Sequence, residues 1–368
     1  MASDNEAASL GPWKDANLRA TARIDAGIGT DAGVPDIIRF RSSVAKLVRR
    51  RLAAGGEAEA DRPAVFLLLP SPPGCASAYD PKRVPRLDRG MEKISGRIWF
   101  VGAGPGSGQF IAAEHSDDDL LFTFLTDTLG LGTVPAILFD PGDPDLHVRH
   151  YPHGVGDPAS FEDLPIGKAD VSIETVTAAI ETTYAEKMIT PDAQPKKMKL
   201  WANQSKWWPV HDAEDLVQGY LEVALNAAFP TCTVRPEQTM PEGRLDLEII
   251  ENDPTDRSII SQHGILELKV LRSFGQTGKK YTKKYNKDWV TSGVEQAAEY
   301  RDSKGAKWGA LVCFDMRCDD AGDSASFSHV KKLSTTLKVH LRRWFIYATS
   351  KQLRSVRVAA KVSAAAAA

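Results

Sequence analysis

Three polar residues stand where their types and spacing could do chemistry: Asp246, within Gly243-Arg244-Leu245-Asp246-Leu247-Glu248-Ile249, and the pair Glu267 and Lys269, within Gly264-Ile265-Leu266-Glu267-Leu268-Lys269-Val270-Leu271. Both segments alternate apolar and polar side chains as half-buried strands do, so Glu267 and Lys269 share a face. Paired side by side, the strands would bring Asp246 and Glu267 together, and two carboxylates sharing a site repel unless a divalent cation lies between them. Mg²⁺ is the natural guest, with Mn²⁺ as a substitute. Such an ion would add a substrate phosphate oxygen to its shell, polarise the phosphorus and lower the pKa of an attacking water. Lys269 could orient that water and offset charge growing on phosphate oxygens. The competing reading is a cross-strand salt bridge among the same residues on a solvated sheet.

The surrounding elements must position these groups. Asp212 is a natural helix N-cap, and Leu216, Val217, Tyr220, Leu221, Ala224, Leu225 and Ala228 form one apolar stripe that ends before Pro230. A short run, Cys232–Val234, precedes the two strands, which the turn-rich ENDPTDRS separates. A helix over Ser292–Asp302 then carries Gln296 and Tyr300 four apart on one face, and Trp308–Phe314 reads as another strand. Val339–Tyr347 reads as a further one.

Between the second strand and that helix, GQTGKKYTKKYNKDWV holds Lys279, Lys280, Lys283, Lys284 and Lys287 with Tyr281, Tyr285 and Trp289. As a loop beside the carboxylates it would suit a nucleic-acid strand, because lysines neutralise phosphates and rings stack on exposed bases. A plain solvated lysine loop is the alternative. Lys196, Lys197, Lys199 and Lys206, with Trp201, could extend the track.

The order Gly243-Arg244-Leu245-Asp246, Glu267-Leu268-Lys269, Gln296-Ala297-Ala298-Glu299-Tyr300 resembles the PD-(D/E)XK nuclease superfamily, whose RecB and lambda-exonuclease branch reads G-x-h-D, E-x-K and Q-x-x-x-Y. The resemblance spans Asp212 to Phe314 and implies a restriction-endonuclease-like αβββαβ core. It further implies Asp246, Glu267 and the Leu268 carbonyl as metal ligands, Lys269 as the catalytic lysine, and an acidic ligand from the first helix, Glu214 or Glu222. Gln296 joins the catalytic set and Tyr300 the substrate contacts on this reading; the alternative is that both pack their helix on the sheet. The implied activity is metal-dependent hydrolysis of phosphodiester bonds, in DNA rather than RNA by the family's habit. By analogy with proteins that join such nucleases to sensing domains, it could serve as the effector of a prokaryotic defence system. Cutting both strands of a duplex calls for two sites, hence a homo-oligomer. The rival function is a non-cleaving nucleic-acid-binding or assembly protein that keeps the nuclease fold.

At 368 residues the chain suits two domains. Residues 1–190 hold 19 Lys+Arg against 27 Asp+Glu, a balance of −8, while residues 191–368 hold 27 against 21, a balance of +6. Only the second part therefore suits a polyanion. We read residues 1–35 as a flexible arm, 36–193 as an α/β domain that could bind a protein or ligand regulator, and 194–368 as the nuclease-like domain. In the α/β domain, Asp36–Ala54 has helical spacing, Ala64–Leu69, Arg97–Gly102 and Ala136–Asp140 read as buried strands, and Asp117–Leu129 as a helix.

VGAGPGSGQF invites a phosphate-loop reading, but it lacks the spacing of a dinucleotide fingerprint and the Lys-Ser/Thr of a Walker loop, so a plain turn is expected. His147, His150 and His153 recur every third residue; Pro152 forbids a helix there, and a solvated loop is the expectation. Cys75, Cys232, Cys313 and Cys318 lack zinc-knuckle spacing. No long apolar run and no secretory signal is present, so a cytoplasmic protein without a membrane partner is expected.

Overall fold

A computed structural model describes residues 34–367 except 56–61, 89–92, 116, 144, 241–242 and 257. Nearly all of the expected arm, residues 1–33, lies outside the described residues. The fold is mixed α/β, built on two sheets.

Helix α1 (Asp36–Ala53) leads into strands β1 (Ala64–Leu68), β2 (Lys82–Val84), β3 (Arg97–Val101) and β4 (Gly108–Ala112). Helix α2 (Asp118–Thr123), capped by the Asp117 carboxylate, runs on as a wider π-turn through Thr128, and β5 (Ala136–Phe139), β6 (His147–Tyr151) and β7 (Glu162–Pro165) follow. The first sheet has the order β2-β4-β3-β1-β5-β6-β7, with β1 parallel to β3 and every other pair antiparallel. Its two faces follow from the two-residue period of strands. Phe66, Trp99 and Ile137 pack under α1, whereas Val65, Leu67, Ile98 and Phe100 pack under α2.

The three strands legible as apolar runs are the central β3, β1 and β5, buried on both faces. The outer strands alternate with polar residues or are short, and so escape notice. Among them is β6, which corrects the loop expected at the histidines: His147 and His150 stand on a strand, and His150 is buried. Burial, with Arg41 and His153 adding, depresses the His150 imidazole to about 4.

Helix α3 (Ile173–Thr183) and a π-turn to Met188 come next, then a two-stranded ribbon, β8 (Trp201–Asn203) with β9 (Trp208–Pro209). Helix α4 (Ala213–Ala228) precedes β10 (Thr233–Met240), β11 (Gly243–Asn252) and β12 (Ile260–Arg272). Helix α5 (Lys283–Lys304), β13 (Trp308–Met316), α6 (Gly322–Phe327), α7 (Lys331–Thr336), β14 (Val339–Phe345) and α8 (Ser350–Ala367) complete the chain. The second sheet is β10-β11-β12-β13-β14: an antiparallel meander to β12, then β13 parallel to β12 and β14 parallel to β13. Even-numbered β12 residues Leu266, Leu268 and Val270 pack with α3 and α4, while Leu271 packs with α5, α6 and α7 on the opposite face.

The change of core falls earlier than residue 193. Val171, Ile173, Val176, Ile180 and Met188 belong to the core of the second sheet, whereas Leu164 and Ile166 belong to the first. Helix α1 ties the two together, with the Ser42 hydroxyl donating to the Pro230 carbonyl at 2.7 Å and Lys46 to the Thr233 hydroxyl at 3.0 Å. Among the described residues no helix is long and apolar enough to cross a membrane.

Candidate functional site

Pairing of β11 with β12 ends at Leu247 opposite Leu266. Beyond that point β12 keeps β13 on one edge as far as Arg272, but its other edge has no partner strand in that ladder. Three side chains take the missing strand's place. The Leu268 N–H donates to Asp246 Oδ2 at 2.7 Å, the Val270 N–H to Glu214 Oε2 at 3.0 Å, and Arg272 exchanges N–H and C=O bonds with the Asn286 amide, each at 3.0 Å. Buried backbone polar groups must be paired, so the opening persists because side chains two residues apart in register satisfy it. In an extended strand one residue directs its N–H and C=O to the same edge, so the Leu268 carbonyl faces this opening too.

Glu267 and Lys269 project from β12 toward α5 and form an ion pair of 2.5 Å. Asp246, Glu267 and Lys269 are 6%, 1% and 4% exposed, so charge there is poorly screened. Burial pushes the Asp246 carboxyl up to about 6, with the Leu268 N–H and Lys269 pulling back and Glu214 adding to the rise. Burial and then the charge of Asp246 carry Glu267 to about 8, against the pull of Lys269. Burial disfavours the Lys269 ammonium, yet Glu267, Glu214 and Asp246 together raise its pKa above the ordinary lysine value. Each of these groups therefore senses the others.

The side chains that could hold a hard divalent cation are Asp246, Glu267 and Glu214. Their donor set is all oxygen, which suits Mg²⁺ or Mn²⁺, and Glu267 Oε2 is a buried oxygen with no hydrogen-bond donor. The oxygens of Glu214, Asp246 and Glu267 do not all lie within 4.8 Å of one another; among the described residues the groups that compact are Cys232–Glu251–His263 and Asp143–Asp145–His147. The three carboxylates instead each hold a separate donor, two on backbone N–H groups and one on Lys269.

Tyr300 is fully buried, packing with Leu245 and Ile265, which corrects its expected role as a nucleic-acid contact: no surface of its ring faces solvent. Its hydroxyl instead explains the glycine of the G-x-h-D motif. Gly243 has φ +143°, and a Cβ there would stand 2.6 Å from the Tyr300 oxygen. Gly243→Ala is expected to destabilise the fold by ~1–3 kcal/mol through backbone strain and this collision. Adding Tyr300→Phe, which removes the colliding oxygen, should recover part of that loss; denaturant melts of the single and double variants measure it, and additive effects would refute the contact. Gln296 is half-buried one turn before Tyr300, and its amide tempers the rise that burial and Glu267 impose on the Tyr300 phenol.

The basic segment is not a loop throughout. Thr282 caps α5 through Tyr285 N–H, so Lys283, Lys284 and Lys287 stand on its first turns, while Lys279 and Lys280 precede it; all five are exposed. The helix starts before the expected Ser292 because KKYNKDWV carries no strong apolar stripe to betray it. Tyr281, Tyr285 and Trp289 follow one another at ring distances of 4.6 and 6.2 Å, and the Trp289 ring lies 4.5 Å from the Lys269 ammonium. This places Trp289 against the catalytic candidate, a role the sequence reading did not assign, although four-residue spacing was its available signal. Of the proposed extension, Lys196 and Lys197 are exposed, but Lys199 is held by the Pro191 and Gln194 carbonyls and Trp201 is buried. Trp208, with Lys206 at 4.7 Å, packs on Gly278 instead and adjoins the basic segment.

No family model, curated protein or solved structure matches the chain.

Proposed function

We propose that the chain is a divalent-metal-dependent nuclease whose centre is the opening between β11 and β12. One observation carries this reading: residues remote in sequence, Glu214, Asp246, Glu267 and Lys269, meet at a broken sheet edge with electrostatically coupled side chains. The order helix, three-strand meander, helix, strand around it supports the restriction-endonuclease-like reading that the motifs imply. Asp246, Glu267 and the Leu268 carbonyl would hold the ion, with Glu214 as the acidic group from α4. A bound Mg²⁺ or Mn²⁺ supplies phosphate polarisation and a water of lowered pKa. Lys269 holds that water's position by donating a hydrogen bond and balances charge growing on the phosphate oxygens. Trp289 and Glu267 restrict the ammonium to that task. The exposed lysines of the basic segment bind the backbone of a DNA strand, and Tyr285, itself exposed, offers a ring for stacking.

Cleavage of plasmid and single-stranded DNA with Mg²⁺, Mn²⁺ or EDTA tests the reading. A cut that persisted in EDTA would overturn it. The low exposure of the three central residues favours a second reading, a nucleic-acid-binding or assembly protein that does not cleave; tight DNA binding with no cleavage under any metal would select it.

A pH signature follows from the coupled carboxyls. Both titrate higher in the folded chain than the ordinary values of 3.8 and 4.5, so their protonated forms favour the fold. That stabilisation is complete below pH about 4 and is lost as pH rises through about 6 and about 8. A cation needs the ionised forms, so protons compete with it. The thermal upshift produced by millimolar Mn²⁺ is expected to be small at pH ~5.5 and several degrees larger at pH ~8.5. Glu267→Gln should flatten this dependence; an equal upshift at both pH values, or one retained in the variant, would argue against the site.

A further inference from the structure

A second concavity lies where the two sheets' territories meet. Helix α1 forms one wall, the turn from Ala103 to Gly106 another, and the ends of β10 and β11 the floor, enclosing about 230 Å³. Drug-sized ligand sites occupy ~300–1,000 Å³, so this space suits a mononucleotide or something smaller.

Its lining has the composition that a phosphorylated ligand requires. Arg39, Lys46, Arg49 and Arg50 of α1 face the space, against two acidic lining residues, Asp88 and Asp253. The ion pair of Arg39 is loose, since it bonds Asp36, whose side chain is 72% exposed. Such a pair is worth ~0–1 kcal/mol, so a phosphate entering the cleft can recruit the Arg39 guanidinium without breaking anything strong. Lys46 donates to the Thr233 hydroxyl at 3.0 Å, which places its ammonium at the floor of the cleft.

The glycine turn faces the same space. A Cβ added at Gly104 or Gly106 would meet no atom within 4 Å, so a ligand can come up to the backbone there. Ala103 and Pro105 from the turn, with Ile38 and Leu47 from α1, add an apolar wall on which a base or sugar can rest. Asn226, Thr231 and Asn252 add uncharged hydrogen-bonding groups from the second sheet's side. Cations, accessible glycine backbone and an apolar wall in one cleft are complementary to a phosphate joined to a flat apolar group.

We propose that this cleft binds a nucleoside phosphate, with the phosphate on Arg39, Lys46 and Arg50 against the glycine turn. The site is separate from the carboxylate opening and does not depend on how that opening acts. Other phosphorylated metabolites share the phosphate but lack the flat base, and the experiment separates them.

The full chain is titrated by calorimetry with AMP, ATP, inorganic phosphate and glucose 6-phosphate, without added metal. Binding of AMP or ATP at least about tenfold tighter than of inorganic phosphate or the sugar phosphate is the expected result. The double variant Arg39→Gln/Lys46→Gln should weaken nucleotide binding about tenfold or more, since charge-assisted bonds to phosphate are the strong ones. Gly104→Val, which fills the cleft without touching a charge, should abolish binding and leave the melting temperature of the unliganded chain unchanged. The idea is overturned if no nucleotide binds at millimolar concentration, if sugar phosphate and phosphate bind as well as AMP, or if binding survives Gly104→Val.

Discussion

Lys269→Ala is expected to reduce Mg²⁺-dependent DNA cleavage by ~10²–10³-fold or more, the range lost when a preorganised charge-stabilising donor is removed. The side chain forms the 2.5 Å pair with Glu267 and lies 4.5 Å from the Trp289 ring. Removing the ammonium also leaves Glu267 buried beside Asp246 without its counter-charge, so its carboxyl should titrate higher still. The variant is therefore expected to need a higher pH for whatever activity remains. Lys269→Arg would not restore function, because a planar fork does not reproduce a point donor in a space bounded by Gly293, where a Cβ would already stand 3.1 Å from Lys269 Cγ. Single-turnover cleavage against pH, with circular dichroism to show that the variant folds, decides the matter. Undiminished cleavage by well-folded Lys269→Ala would place the chemistry elsewhere.

The second large effect concerns stability alone. Asp315, at the end of β13, is fully buried and accepts from Arg317 at 2.5 and 2.8 Å and from Arg343 at 3.0 Å. The Arg343 side chain is itself 4% exposed and also reaches Asp320 and Asp323, so this cluster fixes β14 beside β13. Asp315→Ala would leave guanidinium groups without their buried counter-ion, and breaking such a pair from one side costs about 3–5 kcal/mol. Urea unfolding of the variant should show a midpoint shift of that size. A shift under about 1 kcal/mol would mean that water or Asp320 replaces Asp315, and that the cluster does not hold the strand.

What could be read from the sequence follows a physical rule. The strands carrying Asp246, Glu267 and Lys269 alternate cleanly because one face meets the α3 and α4 core while the other carries the polar groups. The β12 register and the α5 helix around Gln296 and Tyr300 were legible for the same reason. The allegiance of α3 was not legible: Val176 and Ile180 form a stripe that would fit either core, and only the packing on α4 decides. Strand β6 was missed because its histidines look hydrophilic, while burial keeps His150 neutral. Asn286 was invisible as a site residue and Trp289 was read only as a ring of the basic segment, since the reason for each is a partner on a distant strand. Tyr300 was legible as part of a motif, but whether it contacts substrate or packs its helix on the sheet was not, because four-residue spacing states which residues share a helix face and not which side that face looks toward.

The open edge of β12 has one more consequence. Asp246 stands in for a rung of the ladder through Oδ2, which leaves Oδ1 as its oxygen without that duty. An ion held by Asp246 therefore meets a carboxylate whose orientation is set by the strand itself. Asparagine at this position can keep the rung through its carbonyl and still remove the charge, whereas alanine removes both and uncovers the Leu268 amide. The two substitutions thus separate what this side chain does for the architecture from what it does for a bound cation.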